Sequence, residues 1–214
     1  MTEHTSRRRF LKATAATGAL AGLNVAVLAQ DGGAGEEVIL LGGFTPGWKG
    51  YRLPGGQEAT GSSNPTLTLQ EGTTYTVMWQ NGDGEPHNFA IQDDQGNNLE
   101  VLQPVSVQQE TYTQINESGA NETISLDVSG GNVTGVTVGN ETGNVTGGNM
   151  AGGQQTTPAP VAQTEIISEQ GAVQGVQFTA TPEMAQYICL VHPNTMVGDV
   201  EVESGGGMGN NSSG

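Results

Sequence analysis

The residues with the clearest chemical potential lie close together near the carboxyl end of the chain. Cys189, the only cysteine, is followed by His192 and then by Met196, in the pattern C-x2-H-x3-M. A second histidine, His87, lies in a separate segment far upstream. Two imidazoles, a thiolate and a weak axial thioether are the ligand set of a blue copper centre, in which sulfur favours Cu(I) and imidazole suits Cu(II). We therefore predict that these four residues bind one copper ion.

Two other uses of the same residues are less consistent with the sequence. A structural zinc site needs four Cys or His ligands, and a catalytic zinc more often uses three His or carboxylates. A Cys-His nucleophile pair would need an orienting third residue and an oxyanion hole, and the sequence marks neither. Such a pair would also leave Met196 unexplained. Zinc and nucleophilic catalysis remain the alternatives to copper.

The segments around these residues are predicted to be short strands. Nine segments show period-two alternation or enrichment in β-branched residues, which is typical of strands. They are residues 38–41, 66–69, 74–79, 88–92, 99–107, 123–128, 176–181, 186–190 and 197–202. Turn signals separate them at the spacing of a sandwich, and no window beyond the N-terminus has a convincing helical period. The predicted fold class is therefore all-β, a β-sandwich.

One segment interrupts this pattern. Residues 116–163 are rich in Gly, Asn, Thr and Val, and the tetrapeptide NVTG occurs in them at both 132–135 and 144–147. A segment of this composition buries too little apolar surface to offset its ordering entropy. We expect a long disordered loop insertion that is mobile and remote from the metal chemistry.

Composition divides the rest of the chain. Residues 1–29 are predicted to be a signal peptide and 30–37 a Gly-rich acidic linker. Residues 38–203 are then one domain that contains the insertion, and 204–214 form a disordered Gly/Asn/Ser tail.

The insertion and the tail also contain N-x-S/T sequons, which are potential glycosylation sites on an exported chain. These are Asn116, Asn121, Asn132, Asn140 and Asn144 in the insertion and Asn210 and Asn211 in the tail.

The N-terminus predicts export. Residues 6–12 read SRRRFLK and precede a mildly apolar stretch over 13–29, the pattern of a twin-arginine signal. No cysteine comes directly after that stretch, so the usual lipoprotein anchor is not expected, and no later segment approaches the ~20 apolar residues of a membrane span. We expect the body to work outside the cell or at the outer face of the cytoplasmic membrane, either released or held by an uncleaved signal.

The charge excludes two classes of partner. Six Lys and Arg residues face 22 Asp and Glu residues, for a formal net charge of −16. Nucleic acids and anionic membranes both require basic surfaces, so neither is expected to bind. Because a strongly acidic surface tolerates its own repulsion best where salt screens it, we expect a halophilic source.

Residues 86–89 (PHNF) and 187–196 (YICLVHPNTM) resemble the two ligand loops of cupredoxins, specifically of plastocyanin-like and halocyanin-like small blue copper proteins. The resemblance spans most of residues 38–203 apart from the insertion, and it implies an eight-stranded Greek-key sandwich with copper near one end. It implies the following ligands: Nδ1 of His87, Nδ1 of His192, the sulfur of Cys189 and, axially, Met196. It also implies that Asn88 ties the two loops together by hydrogen bonds.

The resemblance further implies an exported electron carrier rather than an enzyme. Its partners would be redox proteins, a donor and an acceptor such as membrane respiratory complexes, with no small-molecule substrate, and the chain would be a monomer. Electrons would pass through the solvent-facing edge of His192, inside an apolar patch formed by Pro86, Leu190, Val191, Pro193 and Val197. A copper-delivering carrier and a glycosylated surface module with incidental copper remain the alternative functions.

Overall fold

The computed structural model describes residues 37–56, 63–119, 122–139, 141–143 and 158–204. All of them belong to one compact unit, Gly33–Gly214. The predicted signal peptide, nearly all of the predicted linker and all of the predicted tail except Ser204 lie outside the described residues.

Twelve strands and one α-helix make up the described part of the chain. The strands are β1 (Glu37–Phe44), β2 (Gly47–Arg52), β3 (Leu67–Gln70), β4 (Thr74–Asn81), β5 (Ala90–Gln92), β6 (Gln103–Val105), β7 (Ile124–Ser129), β8 (Asn132–Val138), β9 (Glu141–Gly143), β10 (Val173–Thr179), β11 (Gln186–Ile188) and β12 (Val197–Glu203). Helix α1 (Gln109–Glu117) lies between β6 and β7, and a 3-10 helix (Pro54–Gly56) follows β2.

Two sheets form the sandwich. One has the strand order β2-β1-β4-β10-β6, and the other has the order β3-β12-β11-β5. The pairs β1 with β4 and β3 with β12 are parallel, and the remaining pairs of the two sheets are antiparallel. Because the chain crosses between the sheets repeatedly, the connectivity is that of a Greek key. The predicted all-β sandwich is confirmed, and each of the nine predicted segments overlaps a strand.

Strand β2 is the sandwich strand that the sequence did not reveal, and with it the two sheets hold nine strands rather than eight. Trp48 and Gly50 are buried while Lys49 and Tyr51 are exposed, so the strand does alternate. Since glycine supplies no side chain at one of the inward positions, hydrophobicity alone does not show this alternation.

The main core lies between the two sheets and is dominated by aromatic side chains. Trp48 contacts Trp79 and Phe89 edge-to-face, at centroid distances of 5.4 and 5.7 Å, and Phe89 stacks on Tyr187 at 5.9 Å. Such pairs contribute roughly 0.5–1.5 kcal/mol each beyond the area they bury. This cluster forms a rigid layer beneath the ligand loops, and it includes Cys189 itself.

Part of the insertion is structured, contrary to the expectation for residues 116–163. Strands β7, β8 and β9 form a third sheet, whose first hairpin turns at two left-handed glycines, Gly130 (φ 57°) and Gly131 (φ 74°). Its apolar residues join α1 and the outer face of the larger sheet in a second core. The members of this second core are Val38, Leu40, Met78, Val105, Tyr112, Ile115, Ile124, Leu126, Val133 and Val136.

The second core explains why strands β7 and β8 are ordered within the predicted insertion. Strand β1 is buried on both faces, with Ile39 and Leu41 in the main core and Val38 and Leu40 in the second. The third sheet and helix α1 together cover the outward-facing side chains of β1. The average composition of the insertion conceals the short alternating runs that cover them. The second NVTG copy, at 144–147, lies outside the described residues.

Helix α1 is also absent from the predicted elements. Only Thr111, Tyr112 and Ile115 of its residues are buried, which is too few to produce a clear helical period. Tertiary contacts hold it instead, since the buried Tyr112 hydroxyl donates a 2.8 Å hydrogen bond to the carbonyl of Leu41. Burial raises the pKa of Tyr112, so the hydroxyl keeps its proton at neutral pH.

The end of the insertion returns to the sandwich next to a predicted ligand. Val161 forms a bridge with Leu102, and Gln163 forms one with Ala90 at the start of β5. The last residues of the insertion therefore pair with the chain three residues beyond His87. Across the described ranges, no helix is long and apolar enough to cross a membrane.

The second core yields a stability prediction. Leu126 is 6% exposed, so Leu126→Ala should lower the free energy of unfolding by about 2–5 kcal/mol through lost burial and a residual cavity. The neighbouring Ser125 is exposed on the same strand, and Ser125→Ala should change the free energy of unfolding by less than about 0.5 kcal/mol. Chemical denaturation at fixed salt measures both. Equal stability of the two variants would show that the third sheet does not stabilise the sandwich.

Candidate metal centre

His87 is fixed by the segment that follows the insertion. Its backbone N–H donates to the carbonyl of Ile167 at 3.0 Å, and the N–H of Ile167 donates back to the carbonyl of His87 at 2.9 Å. Two residues on, the Phe89 N–H donates to the Thr164 hydroxyl at 2.9 Å, and the Thr164 N–H donates to the Phe89 carbonyl at 2.9 Å. The backbone at His87 and at Phe89 is thus held by two pairs of hydrogen bonds. His87 is fully buried.

The other predicted ligands lie in one loop between β11 and β12. The His192 N–H donates to the Cys189 carbonyl at 3.1 Å, and the Met196 N–H donates to the His192 carbonyl at 2.9 Å. The loop closes on itself because the Cys189 N–H donates to the Met196 carbonyl at 2.9 Å. Each ligand residue is therefore bonded through its backbone to the next.

The side chains of the two loops converge on one point. Nδ1 of His87 lies 3.2 Å from Nδ1 of His192, and Sγ of Cys189 lies 3.9 and 3.8 Å from these two nitrogens. A metal ion held by nitrogen at about 2.0 Å and by sulfur at about 2.3 Å, in trigonal or tetrahedral geometry, separates its donor atoms by roughly 3.3–3.8 Å. The three donor atoms fit a single transition-metal ion, and the donor set is that of a type 1 copper site.

Met196 occupies the buried side of the same loop. It is fully buried within the main core, and its carbonyl accepts a second hydrogen bond, at 3.2 Å, from Nε1 of Trp48. The indole therefore connects the aromatic core directly to the residue predicted as the axial ligand.

Asn88 connects the two loops, in the manner that the cupredoxin resemblance implies. Its side-chain oxygen accepts a 2.8 Å hydrogen bond from the Leu190 N–H, and its own N–H points at the sulfur of Cys189 at 3.5 Å. An N–H in this position would donate to the sulfur of a metal-bound cysteine. The contacts of Asn88 therefore fix the spacing of the two loops and place a hydrogen-bond donor beside the sulfur of Cys189.

The exposure of the site is uneven. Cys189 is a free, fully buried thiol, and His87 is buried as well, whereas His192 is half-buried. Among these three donors, only His192 reaches solvent. Around it, Pro86, Leu190, Val191 and Val197 are half-buried and Pro193 is exposed.

Sequence reasoning missed the residues behind His87. Nε2 of His87 lies 2.8 Å from Oδ1 of Asp83, and Oδ2 of Asp83 accepts from the backbone N–H and the hydroxyl of Thr45, at 2.7 and 2.9 Å. Burial raises the pKa of the Asp83 carboxyl, but the hydrogen bonds from Thr45, His87 and the Glu85 N–H outweigh it and hold the pKa well below its usual range. Asp83 is therefore a carboxylate at neutral pH. In the sequence it is one residue of the NGDG turn, and a turn aspartate gives no sign of its partner.

The predicted export signal is confirmed by comparison with known families. The TAT (twin-arginine translocation) pathway signal sequence family matches residues 4–23. No curated protein sequence matches the chain.

Several solved structures are similar to this chain at low identity. Auracyanin B is 15% identical, with 81% of this chain and 93% of that chain covered and a TM-score of 0.34. Dithionite-reduced auracyanin from Roseiflexus castenholzii is 15% identical, with coverage of 80% and 99% and a TM-score of 0.35. Auracyanin A, a "blue" copper protein from Chloroflexus aurantiacus, is 16% identical, with coverage of 79% and 100% and a TM-score of 0.30.

Likenesses with TM-scores this low support no assignment of ligands or function, so the conclusion depends on the geometry of the site itself. Two loops of one sandwich bring two imidazole nitrogens and a thiol sulfur to a common point, next to a buried methionine. The chain is an exported β-sandwich protein whose loop cluster fits a type 1 copper site.

Proposed function

We propose that this chain is a cupredoxin that carries single electrons through one copper ion bound by His87, Cys189, His192 and Met196. The observation that carries the proposal is the convergence of the two Nδ1 atoms and the cysteine sulfur, within 3.9 Å of one another, on loops locked by hydrogen bonds. A bound copper ion would supply the Cu(I)/Cu(II) couple.

The contribution of the protein is rigidity. Hydrogen bonds within the protein hold the two loops, and Asn88 and Trp48 tie the loops to each other and to the core. Ligands held in this way cannot adopt the different geometries that Cu(I) and Cu(II) prefer separately. A site that barely rearranges between oxidation states favours fast electron transfer.

The alternatives to copper are less consistent with this geometry. Zinc sites prefer a fourth His, Cys or carboxylate, whereas the donor cluster in the described residues contains two His and one Cys, next to a methionine. A nucleophilic role for Cys189 would require a substrate to reach a fully buried sulfur. We propose that the protein is not an enzyme and acts on no small-molecule substrate.

The alternative of a copper-delivering carrier is disfavoured by burial. A carrier exchanges its metal and so benefits from exposed, mobile ligands, whereas His87, Cys189 and Met196 are fully buried. An incidental site on a glycosylated module would not need the backbone bonds that link each ligand to the next. The geometry therefore favours electron transfer over both.

We propose that redox proteins, including membrane respiratory complexes, dock at the edge of His192. Its imidazole is the half-buried member of the donor cluster, so it offers the shortest route between the metal and a partner. The half-buried Val191 and Val197 and the exposed Pro193 would form the apolar contact. We propose that the monomer is the active form.

Redox measurements on methionine variants test the ligand set. Met196→Leu should preserve copper binding and reversible one-electron cycling but raise the reduction potential, because a thioether ligand at this position would stabilise Cu(II) modestly. The expected rise is on the order of 59 mV, which is tenfold in the equilibrium. Met184 is 3% exposed in the same core, and Met184→Leu is the matched control. Equal potentials in the two variants would show that Met196 is not a ligand, and failure of the parent protein to cycle would refute the proposed function.

Transfer kinetics to a redox partner in molar salt test the docking surface. Since the Debye length is only about 3 Å at 1 M salt, apolar contact should dominate the transient complex. Val191→Asp or Val197→Asp should slow the bimolecular rate without altering the copper spectrum. The paired change Asp93→Asn with Asp94→Asn is the control and should have little effect. The opposite ranking would place the docking surface elsewhere.

A further inference from the structure

We propose that Asp83 is a positioning residue of the metal site: its carboxylate holds His87 in the tautomer that presents Nδ1 to the metal and lowers the reduction potential of the site. This inference rests on the proposed function, because it assigns a role to a residue behind one of the proposed ligands. It concerns a side chain that touches no proposed donor atom and acts only through His87.

The contacts of Asp83 place the carboxylate between two structural elements. Oδ1 lies 2.8 Å from Nε2 of His87 and accepts from the Glu85 N–H at 3.1 Å. Oδ2 accepts from the N–H and the hydroxyl of Thr45, in the turn between β1 and β2. Both oxygens are therefore fixed by at least two donors each, and the carboxylate cannot swing away from the imidazole without breaking them.

The Asp83 carboxylate determines which ring nitrogen of His87 carries the hydrogen. An ionised carboxylate is only an acceptor, so Nε2 of His87 must carry the hydrogen that it donates. In the neutral ring, Nδ1 then has a free lone pair, and Nδ1 is the atom that faces His192 and Cys189. The ring is preset for metal binding by a partner on its opposite side, as is usual for metal-bound histidines.

The Thr45 turn extends the same support to the other ligand loop. The hydroxyl of Thr195 donates to the carbonyl of Thr45 at 2.5 Å, and Thr195 lies between His192 and Met196. The side-chain amide of Asn64 also donates to the carbonyl of Thr195, at 2.8 Å. The β1-β2 turn is thus bonded both to the carboxylate behind His87 and to the His192–Met196 loop.

The burial of the His87–Asp83 pair determines how strongly the carboxylate charge acts on the metal site. The side chain of His87 is 0% exposed and that of Asp83 only 25% exposed, so water screens the pair weakly. A negative charge bonded to the imidazole makes Nδ1 a stronger donor and favours the more highly charged Cu(II) over Cu(I). Removing that charge should therefore raise the reduction potential.

The charge is tested by Asp83→Asn, which preserves the size of the side chain and its capacity to accept a hydrogen bond. We expect the Cu(I)/Cu(II) equilibrium to shift toward Cu(I) by about tenfold, which is 59 mV for a one-electron couple. Asp83→Glu keeps the charge, so its reduction potential should lie close to that of the parent protein. Asp93 is a matched control, since its Oδ1 also accepts backbone hydrogen bonds in a turn, from Gln95 and Asn97, without touching a histidine. Asp93→Asn should leave the potential unchanged.

The tautomer is tested separately in the metal-free protein by nitrogen-15 NMR of the histidine rings. We expect the neutral His87 ring to carry its hydrogen on Nε2, and Asp83→Ala to produce a mixture of tautomers. Outer-shell substitutions of this type typically cost about 10–100-fold in metal affinity, and a copper titration of Asp83→Ala should show that loss. Asp93→Ala is the control in both measurements.

The possible outcomes distinguish the role of Asp83 from the proposed electron-transfer function. Equal potentials for Asp83→Asn and Asp93→Asn would show that the carboxylate does not tune the site, and an unchanged tautomer in Asp83→Ala would show that it does not orient the ring. Either result would overturn the inference while leaving electron transfer intact. Failure of the parent protein to bind copper would overturn the proposed function itself, and the metal-free NMR measurement would still test the role of Asp83.

Discussion

The structure depends on hydrogen bonds that hold three donor atoms close together. Two imidazole nitrogens and one cysteine sulfur lie within 3.9 Å of one another. The protein achieves this through backbone hydrogen bonds. The N–H and the carbonyl of His87 both form hydrogen bonds with Ile167. The backbones of Cys189, His192 and Met196 are hydrogen-bonded to one another. The converged donors are therefore a consequence of sandwich connectivity, in which β4 and β11 deliver their following loops to the same end.

The remaining architecture can be understood as support for these loops. The support comes from a cluster of packed aromatic side chains, Trp48, Trp79, Phe89 and Tyr187, in the main core. The indole of Trp48 donates a hydrogen bond to the Met196 carbonyl. The third sheet does not touch the ligands in any described contact. It covers the outer face of β1, the strand that is parallel to β4 and antiparallel to β2. Burying both faces of β1 stabilises the sheet that carries Trp48 and Trp79.

Much of the site could be predicted from the sequence because its signal is local. Cys189, His192 and Met196 lie within one short segment, and an unaccompanied cysteine in an exported chain already demands an explanation. Most strands were predictable for a similar reason, since their side chains alternate between core and solvent. Strand β2 was not, because Gly50 occupies an inward position without a side chain. Helix α1 and the third sheet were missed because long-range burial against β1, rather than their own composition, stabilises them.

Asp83, Thr45 and Thr164 could not have been found by sequence reasoning. Their roles arise from hydrogen bonds that join distant parts of the chain: Thr45 to Asp83, Thr195 to Thr45, and Phe89 to Thr164. Polar residues in turns are common, and only the folded geometry distinguishes one that supports a ligand from one that faces solvent. Asp93 illustrates this, since its local hydrogen bonds resemble those of Asp83 but it contacts no histidine.

The central claim is that the sulfur of Cys189 bonds to a copper ion that both imidazoles also hold. The most direct test is a titration of the purified metal-free protein with Cu(II), followed together by visible absorption and electron paramagnetic resonance. The account predicts an intense sulfur-to-copper charge-transfer band that saturates at one copper per chain, with one paramagnetic species, and that is absent from Cys189→Ala. Copper binding without the band, or a band that persists in Cys189→Ala, would contradict it.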